Sequence, residues 1–161
     1  HGLMEVGSFV WLNAETAVIG RSSRVNEEGA RQVEEVLRAQ GVSLLRVDLT
    51  GYRLHIDAAL VMIDVDTAIV NPTQLPFWFL ETLAEMKIRT VEVHPDDHSG
   101  AVNCLAVAPG RVLMQDGLSP RTAARLDSLG IEIVPLAYDK VWLGGGGIHC
   151  STAPLLRDPV S

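Results

Sequence analysis

Residues 9–20 read Phe9-Val10-Trp11-Leu12-Asn13-Ala14-Glu15-Thr16-Ala17-Val18-Ile19-Gly20, two apolar runs on either side of a turn-prone Asn13-Ala14-Glu15. Strands over Phe9 to Leu12 and Ala17 to Gly20 joined by so short a polar turn predict a hairpin. A helix over about Asn26 to Gln40 follows, with Ala30, Val33 and Leu37 on one face. Asn26 is suited to its N-cap, Glu27 and Glu28 to the positive end of its dipole, and Gly41 to its stop. The strand Leu44 to Leu49 then completes a strand-strand-helix-strand unit.

Two more units of the same order follow. The second has strands Ala59 to Ile63 and Thr67 to Val70 around the turn Asp64-Val65-Asp66, a helix after Asn71-Pro72, and a strand Thr90 to His94. The third has strands Cys104 to Ala108 and Val112 to Met114 around Pro109-Gly110, a helix opened by Ser119-Pro120, and a strand Ile131 to Pro135 after Gly130. Apolar strands flanking each helix suggest an α/β fold of modules set side by side around an axis, with the linking loops gathered at one end as a site. No Pro/Ser-rich linker divides them, so residues 1–161 read as a single domain.

Composition narrows the classes. With 47% hydrophobic and 20% charged residues, 161 residues can bury one sizeable core. A net charge of −7 leaves no basic footprint for nucleic acid or an anionic membrane, and no apolar run approaches a membrane span. No nucleic-acid or membrane partner is therefore expected. Two cysteines, Cys104 and Cys150, form neither a disulfide framework nor a CxxC pair, and no secretory signal pattern opens the chain, so a reducing cytoplasm is the default location.

Leu143-Gly144-Gly145-Gly146-Gly147-Ile148-His149-Cys150-Ser151-Thr152 holds the only low-complexity segment. Its glycines allow positive φ and close approach to a ligand, and they deliver Cys150 at the mouth of a strand-like run, Ser151 to Leu156. A nucleophile could be presented in this way, and a buried structural thiol after a flexible loop is the competing reading. His55 and Asp57, in Leu54-His55-Ile56-Asp57-Ala58, fall between the first two units, where period-two spacing would put them on one face. Glu5 precedes the first hairpin, so Glu5, His55, Asp57 and Cys150 all stand at unit junctions. Taken singly, His55 also fits a hydrogen-bonded edge histidine, Asp57 a cap, and Glu5 an exposed terminal carboxylate. His1, His94 and His98 read as surface residues rather than metal ligands, since Pro95 interrupts any helical presentation of the last two. Arg157 to Ser161 reads as a solvated tail.

Glu5-Val6-Gly7-Ser8-Phe9, Gly20-Arg21-Ser22-Ser23-Arg24-Val25-Asn26-Glu27-Glu28-Gly29, His55-Ile56-Asp57-Ala58, Asn103 to Gly110 and Gly145 to Thr152 together resemble the guanidine-modifying, or pentein, superfamily in order and spacing. That superfamily includes arginine deiminases, dimethylarginine dimethylaminohydrolases and glycine amidinotransferases. The resemblance implies a five-bladed α/β propeller of strand-strand-helix-strand modules with its site in the central channel. Roughly three modules are present, so the chain resembles the C-terminal part of such an enzyme. The remaining modules, which would bring a further substrate-binding aspartate, or a second copy of the chain, are then expected to cover the open faces.

Matched position by position, the resemblance implies Cys150 as nucleophile, His55 as general acid and base, Glu5 as catalytic carboxylate and Asp57 as a contact to the guanidinium. Ser8, Gly147 and His149 are further substrate-binding candidates. The implied reaction is cysteine-dependent hydrolysis at the guanidine carbon of arginine or a substituted arginine through a thiouronium intermediate, without metal or cofactor. Amidino transfer to an amine and an inactive binding module are the alternatives. Two departures stand out: Ser8 occupies the place of a usual carboxylate, and Lys140-Val141-Trp142-Leu143 replaces the arginine-containing loop of arginine deiminases.

Overall fold

A computed structural model of the chain describes residues 1–50 and 53–156, so the terminal stretch from Arg157 to Ser161, read above as a tail, lies outside the described residues. The first unit is β1 (Phe9–Trp11), β2 (Thr16–Arg21), α1 (Glu27–Arg38) and β3 (Ser43–Asp48). The second is β4 (Leu60–Asp64), β5 (Thr67–Val70), α2 (Phe77–Glu85) and β6 (Arg89–Glu92), and the third β7 (Leu105–Ala108), β8 (Arg111–Gln115), α3 (Pro120–Ser128) and β9 (Glu132–Leu136). Each makes its own three-stranded sheet with the second strand in the middle. The hairpin pair is antiparallel and the strand after the helix runs parallel to the middle one.

Local sequence accounts for most boundaries. Asn26 Oδ1 accepts from Gly29 N–H at 2.8 Å to open α1, and Ser119 Oγ accepts from Thr122 N–H at 3.2 Å to open α3. The second unit differs from expectation: Asn71 caps only the 3-10 turn Pro72–Gln74, and α2 begins at Phe77. Pro76 explains this, because the residue before a proline is driven out of the helical region. A four-residue helix, α4 (Asp139–Trp142), was not anticipated. Ser151 to Leu156 is not a strand: it leaves the 3-10 turn His149–Ser151 and pairs with no strand among the described residues, and Leu155 and Leu156 are exposed. Ile56–Ala58 is likewise a 3-10 turn, so a strand face does not explain how His55 and Asp57 converge.

The units pack through shared cores. Val10, Val18 and Val47 of the first sheet meet Leu60, Ala68 and Val70 of the second around Phe79 and Leu83 of α2. The opposite face of the second sheet, carrying Val61, Ile63, Ile69 and Val91, meets Val112 and Met114 of the third sheet and Leu126 of α3. The middle sheet is thus buried on both faces, which is why β5 reads Thr67-Ala68-Ile69-Val70 without a polar alternation. At the two ends this covering stops. Val36 on α1 is exposed, and Leu105, Leu113 and Val134, in register on the far face of the third sheet, are only partly buried. Among the described residues no helix is long and apolar enough to cross a membrane.

Phe79 is fully buried where two sheets and a helix meet, so Phe79→Ala should lower unfolding free energy by about 3–5 kcal/mol. Urea denaturation followed by circular dichroism measures this. A loss below about 1 kcal/mol would mean that the first two units do not share a core.

Candidate active site

The junctions between units bring four expected residues into two hydrogen-bonded pairs. Before β1, the 3-10 turn Val6–Ser8 carries Glu5, whose Oε2 lies 2.6 Å from Nε2 of His55. After β3, His55 is the N-cap of Ile56–Ala58 in an extended conformation, and Asp57 lies inside the turn with a side chain 1% exposed. After β9, His149 Nδ1 lies 3.0 Å from Asp57 Oδ2, and Cys150 Sγ is 3.4 Å from the same oxygen. Gly7 sits between the two pairs. A Cβ there would be 3.0 Å from His55 Nδ1 and 3.3 Å from Asp57 Oδ2, so a bare backbone lets imidazole and carboxylate approach one another.

Charge within the site is unevenly satisfied. The hydrogen bond from His55 holds the exposed Glu5 carboxyl below its ordinary range, with help from Arg24, which donates to Oε1 at 3.2 Å. Burial of its surroundings pushes the Cys150 thiol up, and the charge of Asp57 pushes it further. Asp57 Oδ1 is buried and, among the described residues, has no hydrogen-bond partner. A buried carboxylate oxygen without a donor is costly, so this atom marks where a cation with N–H donors would be stabilised.

The other candidates fall nearby with different surroundings. Ser8 is fully buried, and its hydroxyl donates to the Leu54 carbonyl at 3.4 Å, a carbonyl that also accepts from Ser22 at 2.6 Å. Ser8 therefore braces the segment that leads into His55. Gly147 is buried against Asn103, where a Cβ would lie 2.7 Å from the asparagine Cβ. Of the four glycines, Gly145 alone has positive φ, at +92°.

Asn103 was not singled out by sequence reasoning, although it opens one of the quoted motifs. It donates from Nδ2 to Cys150 Sγ at 3.1 Å and accepts the Cys150 N–H at 3.1 Å. An asparagine before an apolar run reads as a turn residue, and only its nine-tenths burial separates it from that class. Away from this cluster, His94 and His98 are partly buried rather than surface residues, while His1 is exposed. Among the described residues no group of three or more His, Cys, Asp or Glu side chains could hold a metal ion.

The chain is similar in sequence and fold to known proteins. The family model described as arginine deiminase matches residues 79–157. The chain is 26% identical to the arginine deiminase of Rhodococcus erythropolis, over 98% of this chain and 47% of that relative, and 25% identical to that of Mycolicibacterium gilvum with the same coverage. It thus spans about half the length of the curated relatives it matches. Among solved structures, DDAH from Pseudomonas aeruginosa, complexed with citrulline, superposes with a TM-score of 0.76 at 25% identity, covering 92% of this chain and 55% of that one. The inosamine-phosphate amidinotransferase StrB1 of Streptomyces griseus superposes with a TM-score of 0.79 at 16% identity, covering 98% and 48%, a likeness of fold.

The two thiols should differ sharply in reactivity. Cys104 is 1% exposed with its thiol pushed up to about 12 by burial, whereas Cys150 is exposed. Iodoacetamide should label Cys150 first, and because its thiol is also raised, the rate should climb as pH rises above the ordinary thiol range. Peptide mapping by mass spectrometry reads both, and preferential labelling of Cys104 in the folded chain would reverse the assignment.

Proposed function

We propose that this chain, similar to the guanidine-modifying (pentein) superfamily in family model, curated relatives and solved structures, carries the site of a cysteine-dependent hydrolase acting on the guanidine carbon of arginine or a substituted arginine. The observation that carries the reading is the buried Asp57: one oxygen lies 3.4 Å from the Cys150 thiol while the other has no partner. A guanidinium presents N–H donors in a fixed planar fork, and a carboxylate without donors is its natural acceptor.

The chemistry follows from the charges. In the free site Asp57 opposes ionisation of Cys150, and a bound cation offsets that effect, so substrate binding favours the thiolate. The thiolate sulfur forms a bond to the guanidine carbon. The bond from that carbon to one nitrogen then breaks, with His55 giving its proton to the departing amine and leaving a thiouronium on Cys150. Water, giving its proton to His55, attacks the same carbon. The carbon–sulfur bond breaks, and a ureido product and the thiolate are released. Glu5, 2.6 Å from His55, stabilises the imidazolium present before each proton donation. An amine in place of that water gives amidino transfer, which shares every step up to the thiouronium.

The modular packing supports a further part of the reading: a propeller of such modules around a channel, completed by additional modules or a second copy. The partly covered faces at α1 and at the third sheet are where the added modules would pack.

Incubation of the chain with arginine or a methylated arginine should increase its intact mass by the trapped amidino group, and Cys150→Ser should abolish the increase. No increase with any guanidino compound, in a chain that binds them, would make this a binding module. Roles separate in the Cys150→Ser background. Asp57→Ala should weaken affinity for the guanidino compound at least about tenfold, while His55→Ala should leave it within about threefold. Calorimetry measures both, and equal losses would show that the proton-transfer and charge-holding roles are wrongly divided.

A further inference from the structure

Asn103, on the loop entering β7, is 3% exposed, and its side chain spends its bonding capacity within the site. Nδ2 donates to the Asp57 backbone carbonyl at 3.1 Å and to Cys150 Sγ at 3.1 Å, while Oδ1 accepts the Cys150 N–H at 3.1 Å. The Asn103 carbonyl also accepts the N–H groups of Ile148 and His149, at 3.1 and 3.3 Å. One residue of the third unit is thereby tied to the Asp57 turn and to the loop bearing the thiol. A planar amide supplies two N–H donors and an acceptor together, a combination that neither Asp nor Ser offers.

We propose that Asn103 is the positioning residue of the thiol: it holds Cys150 Sγ between its own amide N–H and the Asp57 carboxylate, and its N–H receives the negative charge when the thiol ionises. This rests on the reading of Cys150 as nucleophile. The groups facing the sulfur act in opposite senses. Burial and Asp57, shared with His149, oppose ionisation, and the Gly147 backbone and the Asn103 side-chain hydrogen bonds favour it; His55, paired with Glu5, stands across Gly7 from the carboxylate. Without the amide the sulfur would keep only the Gly147 backbone hydrogen bond against burial and the opposing carboxylate. Gly147 belongs to the same device, because a side chain there would displace the amide.

The test is the pH dependence of Cys150 alkylation by iodoacetamide in the full 161-residue chain, with Cys104 as the reporter of folding. Asn103→Ala should move the midpoint up by about one pH unit and leave the high-pH rate within about twofold, since access is kept while thiolate stabilisation is lost. Asn103→Asp, which keeps acceptors and removes donors, should move it further. Gly147→Ala should reproduce the upward shift with the asparagine still present, so the test survives if Asn103→Ala alone fails to fold. Wild-type midpoints in Asn103→Ala and Gly147→Ala with Cys104 protected, or exposure of Cys104 in both, would overturn the proposal, the latter by showing a purely structural role. Failure of the hydrolase reading is separately visible, as a missing mass increase with guanidino compounds alongside shifted midpoints.

Discussion

A carboxylate with 1% of its side chain exposed, set 3.4 Å from a thiol, is the interaction on which the rest of the site depends. Burying a charge is costly unless it is paired, and the chain supplies Asp57 Oδ2 with His149 while leaving Oδ1 without a donor. The arrangement favours a cation over an empty site. In the proposed reaction it also ties binding to reactivity, because the charge that disfavours the thiolate in the free protein is the one a bound cation would neutralise.

The three-unit packing is what brings these groups together. Glu5, Ser22 and Arg24 come from the first unit, His55 and Asp57 from its junction with the second, Asn103 from the entry to the third, and His149 and Cys150 from beyond β9. The contacts between them span 50 to 93 residues of sequence in the Glu5–His55 and Asp57–Cys150 pairs. No short segment can assemble such a site. The second sheet, with apolar residues on both faces, fixes the spacing of the junctions on either side, so core packing and site geometry are one problem.

Much of this was legible in the sequence where a local signal exists. The hairpins, the Asn26 and Ser119 caps and the repeating order of elements all follow from periodicity and capping chemistry. The start of α2 was misplaced because Asn71-Pro72 and Pro76 both look like helix openings, and only the second leads to a full helix. Ser151 to Leu156 resembled a strand because apolar composition carries no information on whether a pairing partner exists. The order of the units put His55 and Asp57 at one junction, whereas the strand-face argument for their convergence fails, because a 3-10 turn and the approach allowed at Gly7 bring them near each other.

Asn103 shows why tertiary hydrogen bonding escapes such reading. Its local context, before an apolar run, is that of a turn residue, and nothing in the neighbouring sequence refers to a thiol 47 positions away. What separates it from an ordinary turn asparagine is that its amide is buried with every side-chain hydrogen-bonding role directed at the Asp57 turn and at Cys150. A buried amide left unsatisfied would destabilise the fold, so the Cys150 loop and the Asp57 turn also serve to satisfy Asn103. The dependence is mutual. The loop is held by the amide, the amide is satisfied by the loop, and the thiol rests where these requirements meet the charge of Asp57.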